Sequence, residues 1–328
     1  MTSTSVPQGP SQTSLSCAFE RIRQEEARSL PDMVVPLNET SWTPTGLLNV
    51  PSLGETRVNQ WARDQLAQIV GIQFDRWFLA ATPEQQADEM TRRLKRARNK
   101  VRLRLAHGKD GPLLRAVVGP GYSAVEDSIL LGAVGDSLSS MSPTVHRLDM
   151  TQRLTTLVIR FGEPQMPNAI VGDISGAITV TNSGVGWCKL SVVLSILRVV
   201  CSNGMRAPVH EALILGVRHR CLEPERIRAQ LSSEMQAIPA RLREAIRVLG
   251  ASTTWPVVNV EAESRELLRE AGMIRAHHKG VLAAFRREPH PSVFGLSQAL
   301  TLYAQQTAPE DRIALEALAG NYVLRSAP

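Results

Sequence analysis

Residues 101–105, "VRLRL", alternate apolar and cationic side chains, the two-residue period of a strand with one buried face. "HGKDG" then reads as a turn and "LLRAVV" (113–118) as a returning strand, so 100–118 predicts a β-hairpin. Upstream the period is helical. Val58, Trp61, Leu66, Ile69 and Val70 fall at roughly helical spacing within 57–70. Thr82-Pro83 restarts a helix as N-cap and first helical residue, with Glu84 and Gln85 in its first turn. A short charged helix is expected in 19–30, followed by an extended segment with turns in "PDMVVPLNETSWTPTG".

Downstream, 124–139 predicts a helix, and 152–162, 176–184 and 211–219 predict strands. "KLSVVLSILRVV" (189–200) is apolar enough to be a buried strand or a buried helix, and periodicity does not decide between them. From Glu223 the pattern is helical over 223–249, 261–272, 278–287 and 293–306, with Pro239 bending or dividing the first of these. Together these elements predict an α+β fold, with a central antiparallel sheet flanked by helices and a helical C-terminal region. The division expected is a disordered tail over 1–30, an α+β core over 31–222, and a helical region over 223–328 packed on that core.

Composition narrows the class. A chain of 328 residues with 43% hydrophobic residues has ample material for one large or two intimate domains. No stretch of eighteen apolar residues occurs, so no membrane span is expected. "MTSTSVPQGPSQTSLSC" has neither a basic n-region nor an apolar h-region, and its Ser, Thr, Pro and Gln content suits a disordered segment, not a secretion signal. Cys17, Cys188, Cys201 and Cys221 match no disulfide framework, which makes a cytoplasmic location the expectation. No GxGxxG or GxxxxGK[ST] loop is present, and no nucleotide cofactor is expected.

Charge changes the picture more. Residues 91–120 hold ten Lys and Arg against one acid, Asp110, so this stretch is more positive than the whole chain at +6. A local cationic stripe points to a polyanionic partner better than a high overall pI does. Alternation sends Val101, Leu103 and Leu105 to the core and Arg102 and Arg104 to the opposite face, while Arg92, Arg93, Lys95, Arg96 and Arg98 crowd the preceding helix end. Three readings stay open: a solvated face whose helix-end cations complement the dipole, a track for a nucleic-acid backbone, or a surface for an acidic protein partner. Aromatics total 4% and no helix-turn-helix or zinc finger is legible, so base stacking and major-groove reading are both poorly served.

The stretch "LRVVCSNGMRAPVHEALILGVRHRC" (197–221) offers the other chemistry. Cys201-Ser202-Asn203-Gly204 reads as a tight turn, or as a nucleophile Cys201 with His219 or His210 as base and Asn203 as orienter. Arg218 and Arg220 offer a second phosphate patch. Cys188, Cys201, His219 and Cys221 lack the paired knuckles of common zinc sites, and no metal is expected. Asp127, Asp149 and Asp173 are scattered and imply no metal nuclease, and "AHHKG" (276–280) reads as an exposed capping region.

Several segments in order resemble the phage/plasmid-like protein family of prophages and plasmids: "QLAQIVGIQFDRWF" (65–78), "LLRAVVGPGYSAVEDSILLGAV" (113–134), "NSGVG" (182–186), "LRVVCSNGM" (197–205) with Arg218-His219, and "SQALTLYAQQT" (297–307). Arg115, Ala116 and Tyr122 keep the family pattern, whereas Gly119, Pro120 and Gly121 replace its usual polar residues. The resemblance implies a mobile-element setting and supplies no activity. An antiparallel sheet beside a basic helix is also the general plan of phage single-strand annealing proteins, an analogy of fold alone.

The reading that absorbs most of these features is a single-stranded DNA-binding protein acting in recombination or annealing as a homo-oligomer, with recombination proteins as further partners. Arg93, Arg96, Arg98, Arg102, Arg104 and Arg115 would contact phosphates, with Arg218 and Arg220 as the second patch. The alternatives are a cysteine-dependent enzyme built on Cys201 and His219 and a non-enzymatic module, such as a host-defence inhibitor, whose basic face meets an acidic protein.

Overall fold

The computed structural model describes residues 14–72, 78, 80–138, 141–198, 203–206, 212–219, 223–273 and 276–328. It is an α+β protein with two sheets, both mostly antiparallel. Thr82 does begin a helix as the sequence predicts: its hydroxyl accepts from the Gln85 backbone N–H while the Gln85 side chain accepts from the Thr82 N–H, closing a capping box. That helix, α3 (Pro83–Arg96), buries Ala87, Met90 and Leu94.

The first sheet is built from β1 (Ser29–Pro36), β2 (Ser41–Trp42), β3 (Leu48–Val50), β4 (Gly54–Val58), β5 (Lys100–Gly108) and β6 (Gly111–Val118), in the order β1-β5-β6-β4-β3-β2. The hairpin of β5 and β6 is its centre, and β4 joins β6 by a short parallel pairing. Leu103, Leu105, Leu114 and Val117 on one face pack with α3 and with α2 (Gln60–Ile69) into one core. The 57–70 pattern thus splits, its first residues ending β4 and the rest forming α2 behind the Asn59 cap.

The second sheet contains β7 (Thr144–Met150), β8 (Thr155–Gln165), β9 (Ile174–Asn182), β10 (Leu190–Arg198), β11 (Asn203–Arg206) and β12 (Leu213–Val217). Within the ambiguous 189–200 run, Leu190–Arg198 is a strand because both its edges are paired. On one side lies β9, and on the other β12 and then β11 in succession. Leu157, Ile159, Ile178, Val180, Val192, Leu194 and Ile196 share a second, larger core with the remaining helices.

These helices are α1 (Leu15–Glu26), α4 (Asp127–Leu138), α5 (Pro224–Met235), α6 (Ile238–Ala251), α7 (Val260–Glu270), α8 (Ala276–Phe285), α9 (Val293–Ala304) and α10 (Pro309–Arg325). Pro239 divides α5 from α6, since a proline one residue into a helix sacrifices no hydrogen bond.

Two expectations change. Part of the 1–30 tail is ordered: α1 buries Ala18 and Ile22 in the second core, and β1 begins at Ser29. Asn203-Gly204 opens a strand, with Asn203 paired to Arg198 and Gly204 to Leu197, so these two residues are not the turn expected of them. α10, the longest of the described helices, lies on β11 at Gly320, where any side chain would collide with the Arg206 carbonyl.

Candidate functional site

On the face of the first sheet opposite its core, the part around Arg104, Ala116 and Val118 is not open to solvent. It is covered by residues 182–186, "NSGVG", the loop leaving β9 of the second sheet. Arg104 donates from Nη1 to the Gly184 carbonyl at 2.6 Å and from Nε to Asp32 at 3.2 Å, and its Nη2 lies 3.8 Å from Glu126. Trp61 Nε1 and Gln65 Nε2 both donate to the Val185 carbonyl, at 3.1 and 3.3 Å, and the Tyr122 hydroxyl donates to the Ser183 carbonyl at 2.7 Å. Ala116, Val118 and Val185 bury a small apolar cluster beneath these bonds.

Loop shape follows from its residues. Gly186 adopts φ +76°, open to glycine and strained for most others, and a Cβ there would stand 3.0 Å from Val118. The Ser183 hydroxyl donates to the Arg153 carbonyl and accepts from the Trp187 N–H. Asn182 donates to the Val125 carbonyl at 2.9 Å and to Asp127 at 2.6 Å, tying the loop to the start of α4. Next to Tyr122, His219 stacks its ring at 5.2 Å and 28°.

Arg104 is therefore only 8% exposed, which corrects the expectation of a solvent-facing cation row. Arg102 donates to the Pro120 carbonyl and lies 3.8 Å from Asp32. Arg93 is held by Glu89 and by the Val70 and Gly71 carbonyls, at the far end of α3 from its cap. Arg96, Arg98 and Lys100 are exposed, and their side chains make no ion pair or hydrogen bond among the described residues. Arg218 is exposed as well, whereas Arg220 lies outside the described residues.

Beside the junction runs a polar cleft of about 530 Å³ between the two sheets. Arg104, His107 and Arg115 line it from the first sheet, and Arg153 with Thr151 and Thr155 from the second. Arg21, Glu25, Glu26 and Arg28 of α1 and the following turn, with Glu126 and Asp127 at the start of α4, complete the wall. Glu26 already fills the anion position at the start of α4, accepting from the Ser128 N–H at 2.7 Å. Arg115 makes no hydrogen bond or ion pair among the described residues, and desolvation holds its guanidinium below the ordinary arginine range. Arg153 stacks over Trp61 at 5.1 Å.

Burial pushes the carboxyls of Glu126 and Asp127 above their ordinary range; for Asp127 the hydrogen bonds from Thr155 and Asn182 oppose the shift without cancelling it. Folded Asp127 thus holds its proton to a higher pH than the unfolded chain does. Stability should fall as pH rises from the usual aspartate range to this raised value, then level off. Asp127→Asn keeps an acceptor for Asn182 and cannot ionise. Urea midpoints taken from acid to neutral pH should show a flatter profile for the variant, with its relative gain largest at neutral pH. Parallel profiles would refute the assignment.

Of the cysteine chemistry, Cys201 and His210 lie outside the described residues, as does the side chain of Asn203. His219 is buried, with no well-aligned hydrogen bond to its ring nitrogens among the described residues; desolvation lowers its pKa, opposed by the nearby Ser123 and Cys188 backbones. The described neighbour Cys188 is no thiolate, because burial pushes its thiol up to about 11. Among the described residues no three His, Cys, Asp or Glu stand together to hold a metal ion, and no helix is long and apolar enough to cross a membrane.

The structure thus brings together Arg104, Tyr122, the 182–186 loop and His219, four features that the sequence singles out separately. It leaves Arg93, Arg96 and Arg98 at a different place, the end of α3. Arg21, Glu126 and Arg153 of the cleft were not singled out by the sequence, because they lie in three distant segments and nothing in the local pattern shows that they converge. No protein-family model, curated protein or solved structure matches the chain.

Proposed function

We propose that the protein binds single-stranded DNA through its backbone, in the recombination or annealing reactions of a mobile element, and acts as a homo-oligomer. The observation that carries this reading is the unanswered charge at the end of α3. Arg92, Arg93 and Lys95 are engaged by Glu89 or by backbone carbonyls, but Arg96, Arg98 and Lys100 stand exposed without a carboxylate partner among the described residues. A helix dipole is complemented by cations in its last turn, and Arg93, Lys95 and Arg96 already occupy that turn. Arg98 and Lys100 lie beyond it, where phosphate contact gives their charge a use.

Fluorescence anisotropy with labelled single- and double-stranded DNA across a salt series tests this, with a single-stranded RNA of the same sequence as a further arm. Single strands should bind preferentially. Arg96→Ala/Arg98→Ala/Lys100→Ala should flatten the salt slope by about 2, at roughly 0.7 per lost phosphate contact. Absence of binding at low salt, or an unchanged slope in the folded variant, would remove the proposal.

A further inference from the structure

The cleft between the sheets differs in character from the end of α3. Its carboxylates would repel a continuous phosphate backbone: Glu25, Glu126 and Asp127 all line it. Yet three guanidiniums from three separate elements also reach it, Arg21 of α1, Arg115 of β6 and Arg153 of the β7–β8 turn. None of the three has an ion pair among the described residues. Arg28 and Arg104 differ, the first being paired to Glu25 at 3.4 Å and the second to Asp32. At about 530 Å³ the space suits a small molecule, within the roughly 300–1,000 Å³ of ordinary ligand sites.

We propose that this cleft binds a phosphomonoester carried on a nucleoside, its phosphate held by Arg21, Arg115 and Arg153 and its sugar or base donors by Glu126 and Asp127. A phosphomonoester concentrates about −1.5 to −2 of charge in one compact group at neutral pH. Three guanidiniums lining one cavity match that, and guanidinium geometry favours planar pairing with phosphate oxygens. Hydroxyls and exocyclic amines are donors, and the carboxylates that line the same cleft are the acceptors they need. The same group is presented by a free nucleoside monophosphate and by the 5′ end of a phosphorylated strand. This site does not depend on strand binding at α3.

Isothermal titration calorimetry of the full chain should compare adenosine and cytidine monophosphates with adenosine and cytidine. In a second arm, a 5′-phosphorylated oligonucleotide is compared with its 5′-hydroxyl form. Monophosphates should bind at least about tenfold more tightly than their nucleosides, the effect of a charge-assisted contact. Preference for the phosphorylated strand end identifies the strand as the source; preference for free monophosphates alone identifies the mononucleotide.

Arg115→Gln should weaken monophosphate binding by about tenfold or more. Arg21→Gln should weaken it in the same direction, and because Arg21 is exposed on α1 its replacement leaves the fold intact. The Arg96→Ala/Arg98→Ala/Lys100→Ala variant should bind monophosphates as the parent does, which separates this site from the α3 surface. Equal binding of nucleosides and monophosphates, no binding of either, or undiminished binding in both Arg21→Gln and Arg115→Gln would overturn the proposal.

Discussion

Replacing Arg104 by Met should destabilise the chain by about 3 kcal/mol, at the low end of what removing one partner of a buried ion pair costs. The side chain is buried, and it answers three acceptors at once: Asp32, the Gly184 carbonyl and Glu126. Met matches its length and restores the packing of the aliphatic stem, so the loss reports the guanidinium alone. What remains is a carbonyl and a largely covered carboxylate facing an apolar side chain, and desolvation without a partner is the larger part of the cost.

Arg104→Lys should recover a minor share, because one ammonium cannot reach acceptors on both β1 and the 182–186 loop. Urea unfolding measures all three proteins. An exposed phosphate contact would behave in the opposite way, leaving the midpoint within about 0.5 kcal/mol of the parent and changing only nucleic-acid affinity. That result would return Arg104 to the binding surface and remove it from the junction.

The contrast shows what a sequence of this kind makes legible. Local rules survive folding: the Thr82–Gln85 capping box, the 100–118 hairpin and the break at Pro239 each depend on residues a few positions apart. Alternation also assigned Arg104 to the face opposite Leu103 and Leu105. It could not say what covers that face, since the covering loop is eighty residues away along the chain, as the Arg104–Gly184 bond records. β10 stayed ambiguous because a strand paired on both edges and buried shows no polar period.

Other elements were missed for different reasons. β7 carries His146, Arg147 and Asp149, charges that argue against a buried strand until their partners are known. α10 was missed although Pro309, Glu310 and Asp311 form a sound helix start. Its small residues, Ala319 and Gly320, dilute the apolar stripe because they serve close packing on β11, a demand that hydropathy does not register.

β7 and α10 explain each other, and the second large effect is expected there. Arg147 of β7 donates both Nη atoms to Glu316 of α10, at 2.9 and 3.0 Å, in a bidentate pair. Asp149 accepts from Arg312 at 3.0 Å and lies 3.0 Å from Arg147 Nε, near enough to pair but not aligned as a hydrogen bond. Glu316 is 7% exposed, so the pair is shielded from solvent and salt. Glu316→Ala leaves the Arg147 guanidinium facing a void with only the misaligned Asp149 to answer it, and should cost about 3–4 kcal/mol. Glu316→Gln, which keeps the shape and one acceptor, should cost less.

Because a buried pair repays little more than its own desolvation, the double change Arg147→Met/Glu316→Leu should recover most of the loss. The coupling in a double-mutant cycle of urea unfolding would then be large and favourable between the native partners. A double variant as unstable as the sum of its singles would mean that the two residues act independently. α10 would then be held on the second sheet by packing at Leu315, Ala319 and Val323, with the ion pair contributing nothing beyond it.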